Sequence, residues 1–315
     1  MSPQVSIIIP CYNQAKFLPD AVGSVLGQVL QDMECIIVND GSSDNTHEVA
    51  TELAAKDERI RYIEQENRGL SGARNRGLKE SRGAWIQFLD ADDILLPDKL
   101  QKQLEVLTHC RTPSLSFCDY YFCGALDLNK RVTKGHDYEH PRLRHGNPLI
   151  DLVSRWETDL SIPSHSFLFD ARLFMETGIN FDEKLPNHED WDCWMRIFNQ
   201  QPIIVPLHQE LVAYRQHPNS MATNKVAMWN GYEQAIKKQL RLFRSNPLIR
   251  SELKKKLAQM HLVYFGKHKN FARRGQAIVM DQFNAIAKHT HKLYRRTMPW
   301  PIQVLLHKIV SRRSN

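Results

Sequence analysis

Asp90, Asp92 and Asp93 crowd together directly after the apolar run Trp85-Ile-Gln-Phe-Leu89. Carboxylates massed at the mouth of a buried strand repel one another and are costly unless a cation holds them. Asp90 and Asp92 have the spacing to grip a divalent metal together with a ligand. Mg2+ and Mn2+ prefer oxygen donors of this kind. An acidic loop leading into the helix after Pro97 accounts for the same residues, and for an isolated Asp-x-Asp it would be the better account. Three further strand ends bear on the choice.

The first apolar run ends Pro10-Cys-Tyr-Asn13. Tyr12 can stack on a base while backbone amides meet the base edge, or it can serve as an ordinary turn aromatic. The second ends Val38-Asn-Asp-Gly-Ser-Ser-Asp44. Asp40 can accept a hydrogen bond from the N3 imide of uracil or thymine, and Gly41 lets the chain turn away tightly. Ser43, Asp44 or Asn45 suits the N-cap of the helix that follows. After the third run, the stretch Asn67 to Gly77 sets three glycines and three arginines around a helix start. Backbone amides and guanidinium forks in that arrangement suit a diphosphate. Neither a GxGxxG after the first strand nor a Walker loop is present.

These ends are positioned by a regular alternation. The runs Val5–Pro10, Glu34–Asn39, Ile60–Glu64 and Trp85–Leu89 recur every 25 to 30 residues. Ala15–Gln28, Asn45–Lys56 and Ser71–Glu80 between them carry helical spacing. The first two runs are β-branched and nearly continuous, as expected of strands covered on both faces. Alternating strands and helices predict an α/β fold with a mostly parallel sheet. Ligands of such sheets bind beyond the carboxyl ends of the strands, where every motif above lies. From Ser114 to Met221 the pattern is mixed. Short strands are expected at Ser114–Cys118, Phe167–Phe169, Ile203–Val205 and Leu211–Tyr214, a helix at Glu189–Asn199 and a mobile polar loop at Lys130–Pro148.

The 315 residues suffice for one sizeable core with a smaller helical appendage, and 42% hydrophobic with 24% charged residues is ordinary for a globular chain. No stretch is long and apolar enough to span a bilayer. Met1 leads almost at once into a strand without a basic, then apolar, leader, so a cytoplasmic location is expected. Six cysteines without a CxxC pair read as reduced thiols rather than a zinc site or disulfide framework. The net charge of +7 hides an asymmetry: residues 225–315 hold 20 Lys and Arg against Glu233, Glu252 and Asp281. Such a split points to an interaction surface on the basic part.

Taken together, Val5-Ser-Ile-Ile-Ile-Pro-Cys-Tyr-Asn13, Ile37-Val-Asn-Asp-Gly-Ser-Ser-Asp44, Asn67-Arg-Gly-Leu-Ser-Gly-Ala-Arg-Asn75 and Phe88-Leu-Asp-Ala-Asp-Asp93 resemble the family 2 glycosyltransferases of GT-A fold. The match is dense over about the first 100 residues, thins towards 220 and is absent beyond. The resemblance implies an inverting, non-processive transferase using a divalent cation, Mn2+ or Mg2+. Tyr12 would stack on the base, Asp40 would bind its edge, Arg74 would lie near base or diphosphate, and Asp90 would hold the ribose hydroxyls. Pro10, Asn13 and Ala91 complete the implied nucleotide-sugar-binding set, and Asp92 would ligate the metal. His188-Glu-Asp-Trp-Asp-Cys-Trp194 matches the family's acidic pair, with Asp190 as general base and Glu189 beside it. Tyr214-Arg-Gln-His217-Pro resembles a segment whose histidine completes the metal or diphosphate site, although His217 reads equally as a surface histidine. Processive relatives usually carry Gln-x-x-Arg-Trp; Leu152-Val-Ser-Arg-Trp156 only approximates it.

The expected organisation is a GT-A domain over residues 1–224, with a nucleotide-sugar half (1–110) and an acceptor half (111–224), then a basic helical region over 225–315. The implied donor is a nucleoside-diphosphate sugar, UDP-linked as first choice, and the acceptor a glycan or lipid-linked hydroxyl in cell-surface polysaccharide synthesis. The basic region suits contact with an anionic inner-leaflet surface, packing on the catalytic domain or a second subunit, or simply solvated helices with basic faces. Nucleic acid is not an expected partner, since no recognition motif accompanies the charge. Two other classes fit parts of the pattern: a non-catalytic sugar-nucleotide-binding scaffold, and a sugar nucleotidyltransferase. The latter would need a glycine-rich loop where Pro10-Cys-Tyr-Asn-Gln14 stands.

Overall fold

The computed structural model of the protein describes residues 2–128, 130–132, 139–218 and 224–267, with side chains through 262. The chain forms two compact units, Met1–Leu253 and Lys254–Asn315. The first unit is built on one eight-stranded sheet.

Strands β1 (Val5–Cys11), β2 (Met33–Asp40), β3 (Ile60–Gln65) and β4 (Trp85–Phe88) are the four predicted apolar runs, linked through helices α1 (Leu18–Leu26), α2 (Thr46–Lys56) and α3 (Gly69–Glu80). All three strand pairings in this half are parallel, with Ile7 opposite Cys35, Ile37 opposite Tyr62 and Ile8 opposite Phe88. Every residue of β1 and β2 is buried, which explains their unbroken β-branched character. Pro19 at the start of α1 has no N–H to leave unsatisfied, so the helix begins at Leu18 rather than Ala15.

Beyond Phe88 come β5 (Ile94–Leu95), α4 (Lys99–Leu107), β6 (Ser114–Gly124), α5 (Pro148–Ser154), β7 (Phe167–Asp170), α6 (Arg172–Met175), α7 (Glu189–Phe198) and β8 (Ile203–Gln216). The sheet continues without a break as β3-β2-β1-β4-β7-β6-β8-β5. β7 joins β4 antiparallel, with Ile86 opposite Phe169, and β6 runs parallel to β8. Phe88, Phe169, Phe181 and Trp194 interlock beneath this junction, Trp194 lying 4.7 Å from Phe169. A large-to-small change there would cost about 3–5 kcal/mol.

Three expectations need correction. The strands expected at Ile203–Val205 and Leu211–Tyr214 are one strand of 14 residues. Pro206 and the polar His208-Gln-Glu210 interrupt its apolar pattern, and a register shift opposite Asp119 accommodates them. β6 likewise runs to Gly124 rather than stopping at Cys118. The segment 139–148, expected within a mobile loop, is anchored: His140 and Arg142 contact Asp119, His145 contacts the buried Asp151, and Asn147 caps α5. Residues 133–138 of that expected loop lie outside the described residues.

Helices α8 (Lys225–Leu242) and α9 (Pro247–Lys267) follow. α8 belongs to the first unit and packs on α7. The basic stretch beyond residue 267 lies outside the described residues. No helix among those described is long and apolar enough to cross a membrane. All six cysteines are free thiols.

Candidate active site

The carboxyl ends of β1, β2 and β4 converge on one edge of the sheet, where most of the expected site residues gather. Tyr12 stands exposed just past β1, with Pro10 buried opposite Val38 of β2. Asn13 adopts a left-handed backbone (φ 54) and spends its side chain on the β2 loop, its Oδ1 accepting from the Ser43 amide at 2.7 Å. Among the described residues its carboxamide oxygen is therefore a loop clamp. Asn45 stands at the N-cap of α2 without a side-chain cap bond, and Asp44 just before it accepts from the Thr46 amide at 3.0 Å.

Asp40 is buried, and its Oδ1 accepts from Gln65 Nε2 at 2.7 Å and the Arg68 amide at 2.9 Å. Gly41 turns with φ +69 against the Asn67 amide, where a Cβ would sit 2.9 Å away. Only glycine fits that turn without displacing the backbone of the next loop.

The three arginines of the Asn67–Gly77 stretch all meet carboxylates. Arg68 pairs with Glu183 at 2.8 Å and Arg76 with Glu80 at 3.1 Å. Arg74, buried on α3, donates to Asp90 at 2.8 Å and to Glu189 at 2.7 Å, and lies over the ring of Phe181. Burial works against its charge, but Asp90, Glu189 and Asp190 outweigh that and hold its pKa above the ordinary value. Arg74 is thus the joint between the acidic loop after β4 and the acidic start of α7.

Ala91 is buried between two more open aspartates. Asp92 Oδ2 lies 2.7 Å from His217 Nε2, just past β8, so the strand-end acid and the distant histidine meet. Phe17 packs on the His217 ring at 5.1 Å and also lies under Arg215. A cavity of about 410 Å³ opens beside Phe17, lined by Lys16, Asp20, Leu126 and Arg215. Asp93 points inward instead. Its Oδ1 accepts from the Arg215 amide at 2.8 Å, and its Oδ2 sits 2.8 Å from Nδ1 of the fully buried His165. Burial pushes the Asp93 carboxyl up to about 7, against the pull of His165. Asp90, Asp93 and His165 also converge closely enough to share an ion.

Glu189 and Asp190 open α7, with Asp190 Oδ1 accepting from the Trp191 amide at 2.6 Å. Burial raises both carboxyls above the usual range, and Arg74 opposes the rise in each. A carboxylate with a raised pKa is a stronger proton acceptor than an ordinary one. Arg155 of the Leu152–Trp156 segment is occupied by Asp151 and Asp159.

His165, Phe181 and Tyr232 were not foreseen. No local motif marks them, because each acts through a contact made only after folding.

A mixed sheet with acids massed at the carboxyl ends of its parallel strands is an arrangement in which α/β proteins place a ligand site. Residues 6–170 match the Glycosyl transferase family 2 description, and the chain belongs to that family. It is 34% identical over 229 residues to the uncharacterized glycosyltransferase EpsJ of Bacillus subtilis, an alignment covering 70% of this chain and 63% of that protein. An uncharacterized glycosyltransferase of Rickettsia typhi is 29% identical over 245 residues, covering 76% and 74%. Among solved structures, S. aureus TarS in complex with UDP-GlcNAc superposes with a TM-score of 0.64 at 17% identity, covering 86% of this chain and 75% of that one. Mannosyltransferase PcManGT of Pyrobaculum calidifontis, in complex with GDP-Man and Mn2+, gives a TM-score of 0.57 at 16% identity, covering 94% and 88%. The likeness to these solved structures gives the chain a GT-A fold.

Proposed function

We propose that the protein transfers a sugar, with inversion, from a nucleoside-diphosphate sugar to a hydroxyl of a glycan or lipid-linked acceptor. The observation that carries this reading is the linked set Asp92–His217 and Asp90–Arg74–Glu189, with Asp190 beside it. Tyr12 would stack on the base and Asp40 would accept from its imide, which makes UDP the first choice of carrier. The relatives bound to UDP-GlcNAc and GDP-Man are compatible with a donor of this class.

The residues present fit a divalent cation. Asp92 Oδ2 and His217 Nε2 are 2.7 Å apart, close to the roughly 3 Å between neighbouring ligands of an octahedral ion with bonds of about 2.1 Å. Their mixed oxygen and nitrogen donors favour Mn2+ over the strictly oxygen-seeking Mg2+. A bound cation would neutralise charge on the departing diphosphate.

In the transfer, the acceptor oxygen attacks the anomeric carbon from the face opposite the diphosphate. Asp190 takes the hydroxyl proton as the new C–O bond forms. The bond from the anomeric carbon to the phosphate oxygen breaks, and its electrons leave on the diphosphate. Arg74 holds Glu189 in place beside Asp190 and opposes the rise that burial imposes on its pKa. The basic region beyond α8 would bring this site to a lipid-linked acceptor at an anionic membrane surface, at roughly 1 kcal/mol per basic residue near it.

Titration with UDP, dTDP and GDP, with and without Mn2+, tests the donor site. Tight binding of one nucleotide should require the metal and be lost in Asp92→Ala. Asp190→Asn should lower kcat by about 10²–10⁴-fold while that nucleotide still binds. Full turnover in Asp190→Asn would remove it from the mechanism.

A further inference from the structure

The helix that follows the expected transferase domain takes hold of the candidate catalytic acids from behind. Around Glu189 and Asp190, four neighbours face α8. Asn187 Nδ2 donates to the Ala227 carbonyl at 2.9 Å. His188, buried and held in the left-handed backbone region (φ 56), stacks flat on Tyr232, with ring centroids 4.5 Å apart and planes 9° from parallel. Trp191 meets the same tyrosine edge-on at 5.1 Å. Asp192, fully buried, accepts from Lys238 Nζ at 2.8 Å and Gln239 Nε2 at 2.6 Å.

The fit between the two segments is close. A Cβ on Gly231 would fall 1.9 Å from Asn187 Oδ1, and that same oxygen contacts His188 Nδ1 at 2.7 Å. A non-glycine residue in the left-handed region is held there only if its surroundings over-determine it. Here the surroundings include Tyr232, Asn187 and Glu157, whose Oε1 lies 3.4 Å from His188 Nε2.

We propose that α8 is a positioning element of the transfer reaction, with the Tyr232–His188 stack setting the direction in which Asp190 leaves the helix start. This rests on the reading of Asp190 as the base. Tyr232 touches no reacting atom. Its ring acts through His188, and its buried hydroxyl has no hydrogen-bond partner among the described residues. The ring rather than the hydroxyl therefore carries the effect.

The test uses the full chain, the nucleotide selected in the titration above, and turnover of the corresponding nucleotide sugar. Tyr232→Leu, which keeps an apolar side chain but removes the ring stack, should lower kcat by about 10- to 100-fold, the scale expected when a catalytic group is misplaced by about 1 Å. Nucleotide affinity and the KM for the donor should stay within about twofold, since Tyr12, Asp40, Asp90 and Asp92 lie on other elements. Tyr232→Phe should restore wild-type kcat. Gly231→Ala supplies a second route, because its added methyl pushes Asn187 away without deleting a side chain. Near-wild-type kcat in folded Tyr232→Leu or Gly231→Ala would overturn the proposal. Equal losses of kcat and nucleotide affinity would overturn it too, since they report general loosening of the fold. Asp190→Asn, measured alongside, separates the two readings. If it is active, the base assignment fails. If it is inactive while Tyr232→Leu turns over normally, only the positioning role fails.

Discussion

Asp92 and His217 stand 125 positions apart in the chain and 2.7 Å apart in space. The acid closes the parallel half of the sheet, and the histidine follows its longest strand. Neither position is informative by itself, but a carboxylate oxygen and an imidazole nitrogen at this separation would suit two adjacent corners of the proposed metal site.

His217→Ala should therefore raise the Mn2+ concentration needed for half-maximal activity by at least about tenfold. Free Mn2+ followed by electron paramagnetic resonance during titration of the apo-protein gives an independent reading. An unchanged affinity would leave His217 as a packing partner of Phe17.

Removing Arg74 should be felt twice. Arg74→Met strips the counter-charge from the buried Glu189 and should cost about 3–5 kcal/mol in urea unfolding, the range for a broken buried pair. It should also move the pH profile. Asp190 accepts a proton only when ionised, so kcat falls as pH drops through its raised pKa. Arg74 works to lower that pKa. In the variant the acidic limb should consequently shift to higher pH, and a stationary limb would mean another group limits the rate.

The strand ends were legible because their motifs are local: Asp40 with Gly41, the acidic loop at Asp90–Asp93, and the helix start after Arg68 each read from a few neighbouring residues. The roles of the arginines were not, since a guanidinium in a glycine-rich turn suits a phosphate and a carboxylate equally. Which one it meets depends on Glu183 and Glu189, more than 100 positions away. β8 was read as two strands because its bulge hides the apolar pattern. Tyr232 was invisible for a related reason: nothing in its own surroundings in the sequence announces the histidine it stacks on.

Lys99 offers a test of the core away from the site. Its ammonium is fully buried and bonded to Gln87, to Gln103 at 2.5 Å and to the Phe167 carbonyl at 3.3 Å, all neutral groups. Burial lowers its pKa from 10.5 to about 8. Between those values the unfolded chain holds a proton that the folded one releases, so this group adds stability as pH rises. Relative to Lys99→Met, the wild type should gain roughly 3 kcal/mol in denaturant unfolding from pH 7.5 to 10.5. A flat difference would mean that the ammonium is better solvated than its burial implies.

The thiols should sort by depth. Cys11, Cys35 and Cys193 are buried, and burial pushes each up to about 12. Cys110 alone is partly exposed. Under native conditions a thiol reagent should label one site quickly, and Cys110→Ser should abolish that fast phase. Rapid modification of several cysteines would show that the core opens more readily than its packing suggests.

Because one uninterrupted sheet runs from β3 through β7 to β5, the parallel strands β1–β4 and the strands beyond them share a common backbone ladder. Such a ladder leaves no hinge axis along which the two could swing apart. Under the proposed function, exchange of spent nucleotide for fresh donor would then be governed by side chains and loops along the carboxyl edge. The turnover clock of this enzyme would be set at its rim, with the frame beneath held still.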